Sequence, residues 1–341
     1  MDSFRPLASA GAALLVAFFL AGCETLSFYA QAVSGQMALM SNTRTVAELL
    51  ADPSTPQPLR EQLILAREIR AYAAKDLKLP DNASYRSYAD IGRPYAVWNV
   101  VAAPEFGLEP LQSCFPVAGC VAYRGFFAQG DAERHAARLR EQGNDVYVYG
   151  VAAYSTLGRF DDPLLSTFIR YPDGDLARLM FHELAHQVAY VKDDSTFNES
   201  FAVVVEREGL RRWLAASGRG AEQQAFVAAE ARNKALVSDI EQARASLRVL
   251  YRQRIAPEAM RERKRAELAA LRVKLAGYAR FKDVDPNNAF LAGFTTYTEL
   301  VPTFEHVLQE EGGDLERFYV RVKKYAASPP AERGPLSIAG K

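Results

Sequence analysis

Two histidines and a glutamate stand as His182-Glu183-x-x-His186 within Phe181-His182-Glu183-Leu184-Ala185-His186-Gln187. On a helix, residues four apart share a face, so both imidazoles can hold one Zn²⁺. Glu183 is then placed to take a proton from a water that the metal activates. A buried helix with two hydrogen-bonded histidines and no metal would show the same spacing. Hydrolytic zinc takes three protein ligands and keeps one position open. Glu199, thirteen residues after His186, is the candidate third ligand. It has a competing role, because Thr196-x-x-Glu199 matches a capping box in which the carboxylate bonds back to the helix start. Glu206, seven residues on and on the same helix face, is a candidate acceptor for an imidazole N–H, a reserve ligand, or a helix-surface carboxylate.

These residues need two helices. Leu176, Leu179, Met180, Leu184 and Val188 recur at helical spacing, and Asp173-Gly174-Asp175 predicts the turn and cap before them. Lys192-Asp193-Asp194-Ser195 reads as a turn, with a second helix running to about Trp213. Upstream, Pro58 to about Asp76 has helical periodicity. From Tyr95 the pattern changes: 96–101, 121–127 and 145–150 are β-rich, with a helix over 131–142 between the last two. That spacing predicts a crossover unit. His135 lies in its helix among charged neighbours and reads as a surface residue. Leu164 to Arg170 predicts the last strand before the His182 helix.

Residues 221–280 differ in kind: Ala, Arg, Glu, Gln and Leu dominate, with no glycine until Gly277. They predict two long antiparallel helices inserted into the main domain, with Pro257 in the first turn of the second. The hairpin is expected to be a scaffold or cleft wall, with a docking arm for a protein partner as its other role. After it, a helix through Phe290, Phe294 and Tyr297 and another from Pro302 to Gly312 return to the core. Tyr297 is a candidate donor to an oxyanion, with His306 the other. Asn287 and Asn288 are candidate substrate contacts, and helix capping is their alternative.

The chain has 341 residues, enough for one substantial core, and 41 basic residues balance 41 acidic ones. That neutrality speaks against a nucleic-acid surface. Arg5 and the apolar run Gly11 to Leu20 form a signal-peptide pattern, short for a membrane span. Leu20-Ala21-Gly22-Cys23 follows and resembles the lipobox of bacterial lipoproteins, in which Cys23 is lipidated. An uncleaved anchor and a plain signal peptide are the alternatives. By the same resemblance, Glu24 favours the outer membrane. Cys114 and Cys120 remain as an even pair, read as a disulfide closing a small loop, or as two buried thiols. The expected organisation is 1–22 signal peptide, 23–45 lipid-anchored tether, 46–220 catalytic domain, 221–280 hairpin, 281–327 helices completing that domain, and 328–341 disordered tail.

His182-Glu183-x-x-His186 followed by a helix bearing Asn198-Glu199-x-Phe201-Ala202 resembles the gluzincin metallopeptidases. The run Glu199 to Glu206 is similar to a segment of the Mlc titration factor peptidases. A further likeness covers nearly the whole mature chain and is to predicted bacterial aminopeptidases exported as lipoproteins. It rests on Cys114 to Gly125, Tyr154 to Gly158, Phe160 to Leu165 and Asn287-Asn288-Ala289. The resemblance implies a helix-rich α+β, zincin-like fold with a small mixed sheet and one Zn²⁺ per chain, held by His182, His186 and Glu199 with Glu183 as the base. It implies peptide substrates and an anchor on the periplasmic face of the outer membrane. In such enzymes the strand before the zinc helix is a sheet edge beside the cleft, able to pair with an extended peptide, and an ordinary buried strand is the alternative for Leu164 to Arg170. The spacing from His186 to Glu199 is shorter than in thermolysin, so no substrate-site detail carries over. A zinc endopeptidase is one alternative. A lipid-anchored envelope binding or assembly factor that uses the hairpin is the other.

Overall fold

Residues on both faces of the strand Val97–Pro104 are apolar and buried, and this sets the layering around it. Val100 and Ala102 point to one side, where they pack with Phe126, Ala132, Ala136 and Val146. Val101 and Ala103 point to the other and meet Ala289 and Ala292. A strand covered on both faces needs an element on each, and a helix lies on each side of this one.

The computed structural model describes residues 43–115, 119–153 and 155–329, with 31, 33–35, 37 and 40–41. Residues 1–42 and 43–341 are two units. In the first, the described residues from 31 to 41 are helical. In the second, the elements are β1 (Arg44–Thr45), α1 (Val46–Ala51), α2 (Gln57–Lys75), β2 (Ser87–Ala89), β3 (Val97–Pro104), β4 (Ser113–Phe115), β5 (Gly119–Val121), β6 (Arg124–Phe126), α3 (Gln129–Glu141), β7 (Asn144–Val151), β8 (Leu164–Leu165), α4 (Asp173–Ala185), α5 (Ser195–Ala216), α6 (Gly220–Tyr251), α7 (Pro257–Leu275), a 3₁₀ turn (Ala279–Phe281), α8 (Asn288–Thr296), α9 (Val301–Glu310) and α10 (Leu315–Ala327). The protein is helix-rich and α+β.

Strand β3 is central in the order β6-β3-β7 and antiparallel to both neighbours. β6 and β7 are therefore parallel to each other, with α3 crossing from one to the other over β3. The strand–helix–strand unit expected from sequence is present, with an earlier strand inserted between its two arms. A second sheet, β1-β2-β8, is mixed: β2 pairs antiparallel with β1 and parallel with β8. β4 and β5 form a separate two-stranded hairpin.

Three local expectations are corrected. The strand expected over Leu164 to Arg170 has only two residues. From Ser166 the chain coils, and Phe168, Ile169 and Tyr171 N–H groups bond back to Leu165 and Phe168 carbonyls. Those groups satisfy one another locally and offer no long open edge. The expected strand 121–127 is divided between β5 and β6. Asp173-Gly174-Asp175 forms the first turn of α4 rather than its cap, since Pro172 occupies the cap position without a side-chain hydrogen bond.

Helices α6 and α7 pair as a hairpin. Bonds from Arg263 to Gln253 near the loop and from Lys274 to Asp239 further along establish an antiparallel register. Leu236, Ile240, Leu247, Leu250, Leu268, Leu271 and Leu275 form its seam, which continues into Phe281, Phe290 and Leu291. The hairpin thus shares its core with α8.

Candidate metal centre

Helix α4 buries Leu176, Ala177, Met180, Phe181 and Leu184, and this fixes its rotation. Helix α5 packs along it. Gly209 makes a close approach possible, because a Cβ there would lie 2.8 Å from Leu77 Cδ1 and 2.9 Å from Phe181 Cδ2. Phe181 precedes His182, so the Gly209 contact helps set the depth at which the first imidazole sits.

The start of α5 decides what Glu199 can do. Asp194 is the cap, and its carboxylate accepts a 2.9 Å bond from Phe197 N–H. Thr196 lies inside the helix, so the capping box considered for Glu199 does not form and its carboxylate is free to face α4. Asn198 fixes the approach: its Oδ1 accepts from Val191 N–H and its Nδ2 donates to Val191 C=O, both at 2.8 Å. Behind it, the disulfide-bonded Cys114 and Cys120 sit opposite each other in the β4–β5 hairpin. Cys120 N–H donates to the Asp193 carboxylate in the turn before α5. Gly119 has φ +81 and abuts Asp193, where a side chain would collide.

His182 Nε2, His186 Nε2 and Glu199 Oε2 converge. The separations are 3.2 Å between the two nitrogens, 3.3 Å from His182 to Glu199 and 3.7 Å from His186 to Glu199. Ligands about 2.0–2.1 Å from a tetrahedral zinc lie roughly 3.3–3.4 Å apart. His182 Nδ1 is 2.8 Å from Glu206 Oε2, an arrangement in which Nδ1–H donates to the carboxylate and Nε2 keeps its lone pair for a ligand. His186 Nδ1 is buried with no hydrogen-bond partner among the described residues. Two imidazole nitrogens aimed at one point beside a buried carboxylate fit a bound divalent cation.

The surroundings are strongly polarised. Burial pushes Glu183 up from 4.5 to about 7, partly opposed by a positive His182. Burial pulls His186 down to about 4, which keeps its imidazole neutral at neutral pH. Burial alone would raise Glu199, but the neighbouring His186 and His182 outweigh it and hold the carboxylate ionised. Glu206 behaves likewise through its bond with His182. For metal-free His182, hydrogen bonds to Glu199 and Glu206 outweigh a burial effect of opposite sign and hold it well above its ordinary value.

Tyr297, at the C-terminal end of α8, is brought to this group. Burial raises its phenol first, and the Glu199 charge adds to the effect. Three tyrosines not singled out from sequence feel the same charge: Tyr123, Tyr149 and the more exposed Tyr190 are each raised first by loss of water around the phenol and also by Glu199. All four remain protonated donors at neutral pH. Tyr149 exchanges a hydrogen bond with Tyr297, and Asn99 Nδ2 donates to Tyr149 Oη at 3.4 Å from directly across the β3–β7 ladder. No spacing in sequence links Asn99, Tyr149 and Tyr297; only strand register brings them together.

The remaining candidates lie apart from the cluster. Asn287 caps α8 by accepting from Phe290 N–H and donates to Val146 C=O. Asn288 is fully buried; it donates to the Pro104 and Glu105 carbonyls and accepts from Tyr251. Both side chains tie α8 to the β-sheet and the hairpin. His306 is exposed on α9 beside Glu310. His135 is half-buried against Phe126. Cys23, with the rest of the signal-peptide and lipobox pattern, lies outside the described residues, as do 330–341 of the expected tail.

A helix-rich α+β protein with two histidines and a glutamate focused on one point is a candidate metalloenzyme. The chain belongs to the family described as "Putative aminopeptidase", whose model matches residues 27–336. That match spans both helices of the centre, the hairpin and the helices after it, and places the chain among peptidases. No curated protein and no solved structure matches it.

Proposed function

We propose that the protein is a zinc-dependent aminopeptidase of the gluzincin type with a zincin-like fold, acting on peptides in the cell envelope. The observation that carries this reading is the convergence of His182 Nε2, His186 Nε2 and Glu199 Oε2, with Glu183 beside them. These three residues hold one zinc ion per chain, and Glu206 orients His182. When bound, zinc supplies Lewis-acid polarisation of the substrate carbonyl and lowers the pKa of water at the site. Glu183 removes the proton from the attacking water and delivers it to the leaving amine. Tyr297 turns its O–H from Tyr149 to the carbonyl oxygen as that oxygen gains negative charge, and Tyr149, positioned by the Asn99 amide, then donates its own proton to the Tyr297 oxygen. Burial of the cluster strengthens each of these interactions.

The test pairs zinc content of the purified protein with hydrolysis of a peptide panel, each member also supplied N-acetylated. One zinc per chain and cleavage of free-amine peptides alone are expected. Cleavage of the acetylated peptides would move the enzyme to the endopeptidases. A protein that retains no zinc under non-chelating conditions would remove the metal reading.

Cys23 is the lipid-anchored residue in this reading, and Glu24 favours the periplasmic face of the outer membrane. The support is Leu20-Ala21-Gly22-Cys23 after an apolar run. Cys23→Ser is expected to release the protein from the outer-membrane fraction. If the variant stays there in full, the lipid anchor is wrong.

A further inference from the structure

Helix α5 serves two neighbours at one point along its length. Glu199 and Ser200 are successive, so their side chains leave the helix about 100° apart. Glu199 faces His182 and His186. Ser200 faces the junction of α8 and α9, where its Oγ accepts a 3.2 Å bond from Leu300 N–H. Phe197 and Phe201 lie on the same side of α5 as Ser200, and their rings meet Phe304 of α9 at 5.1 and 5.7 Å between centroids. Ser200 is therefore a polar residue within an aromatic contact, and it is fully buried.

Alanine would fill that place and is the better helix former. A buried hydroxyl costs free energy unless it is hydrogen-bonded. What serine adds here is the oxygen that meets Leu300 N–H.

Leu300 closes the turn Tyr297, Thr298, Glu299, Leu300 between α8 and α9. The neighbouring N–H groups are met nearby in the chain: Tyr297 bonds to Phe294 C=O, Thr298 and Glu299 to Thr295 C=O, and Val301 to Thr298 C=O. Leu300 N–H instead leaves the turn for Ser200, and α9 has no side-chain cap. One hydrogen bond thus ties the turn that begins at Tyr297 to the residue beside Glu199. Tyr149 meets the Tyr297 phenol from the β-sheet, while Ser200 holds the backbone of its turn from α5.

We propose that Ser200 is a positioning residue for Tyr297: its bond to Leu300 N–H sets the depth of the Tyr297 turn against α5, and with it the place of the phenol relative to the Glu199 carboxylate. Ser200 acts only through Tyr297 and leaves the metal ligands as they are. This rests on the zinc-peptidase reading, in which that phenol meets the carbonyl oxygen.

The test compares Ser200→Ala, Tyr297→Phe and the double variant in two measurements. The first is steady-state kinetics beside zinc affinity. Ser200→Ala should lower kcat about tenfold, less than the hundredfold that a 1 Å misplacement costs, and leave KM and zinc affinity unchanged. The double variant should be no slower than Tyr297→Phe alone, because a misplaced phenol and a missing one lose the same interaction. Losses that multiply in the double variant overturn the proposal, as does a fall in zinc affinity that accompanies the fall in kcat. Ser200→Cys keeps the side-chain bulk, accepts hydrogen bonds only weakly, and takes the place of Ser200→Ala if alanine leaves the protein unfolded.

The second measurement needs no turnover. It is ¹³C NMR of the metal-free full chain labelled at tyrosine Cζ, with each signal identified by its loss in the matching Tyr→Phe variant. Ser200→Ala should move the Tyr297 signal and leave that of Tyr251, whose hydroxyl donates to Asn288, in place. An unmoved Tyr297 signal overturns the proposal. A wild type inactive on every peptide, with a Tyr297 signal that still responds to Ser200→Ala, would sink the peptidase reading and leave the placement standing. An active wild type whose Tyr297 signal ignores Ser200→Ala would do the reverse.

Discussion

Glu183→Gln lowers kcat by about a hundred- to ten-thousand-fold while zinc content stays at the wild-type level. Glutamine fills the same space but cannot accept the proton of the attacking water, and it is not one of the converging ligands. KM should change little, because the lost interaction is with the proton in transit. Turnover near wild type would remove Glu183 as the base. The same variant carries a stability signature when no metal is bound. Burial raises the folded-state pKa of Glu183 from 4.5 to about 7, so the folded protein holds that proton more tightly than the unfolded chain. Ionisation therefore costs stability progressively from pH 4.5 up to about 7 and by a constant amount above, about 3 kcal/mol if the burial effect is fully expressed. Metal-free Glu183→Gln should be more stable than metal-free wild type at about pH 8 and no more stable at about pH 4. Denaturant titration at the two pH values measures the difference. A gain of equal size at both would mean that the substitution acts through packing rather than charge.

Glu199→Ala weakens zinc binding by about three hundred- to several thousandfold and abolishes hydrolysis. The order of magnitude follows from sharing the roughly 10–16 kcal/mol of a protein zinc site among its ligands. Glu206→Gln provides the contrast. Glu206 touches His182 Nδ1 and no other member of the ligand triad, so its loss should weaken binding by about ten- to a hundredfold and spare stoichiometric loading at high zinc. Competition against a chelator of known affinity reads both. The ligand assignment fails if Glu199→Ala keeps wild-type affinity while Glu206→Gln loses it. Circular dichroism of each variant separates loss of a ligand from a folding defect, a control that matters most for Glu199, which lies buried within α5.

Much of the architecture was legible because it depends on local periodicity. The helix carrying His182 and His186 follows from apolar spacing, the long helices on either side of Pro257 from composition and the proline, and the helix after Asn287 from its cap. Errors fell where short apolar runs leave helix, strand and turn alike. Leu164 to Arg170 is β-rich in composition, yet only Leu164 and Leu165 pair, because the following N–H groups find partners within the segment itself. Thr196-x-x-Glu199 has a capping spacing, yet Asp194 begins the helix two residues earlier and takes the capping role. The pinning of α5 by Asn198 was not foreseen, although that residue stands beside Glu199 in the quoted motif.

What the sequence alone determined is the chemistry available on one helix. Residues four apart on a helix must share a face, so His182 and His186 could be paired and Glu183 placed beside them without any tertiary information. It also marked Glu199 and Glu206 as the carboxylates in reach and left their roles open. The tertiary structure decided where each carboxylate sits. Gly209 lets α5 lie close to α4, Asn198 fixes the start of α5, and Glu199 then faces both imidazoles while Glu206 meets the outer nitrogen of His182. The same holds for the phenols whose pKa values the Glu199 charge raises. Strand register and helix packing join residues far apart in the chain, and contacts of that kind leave no local pattern to read.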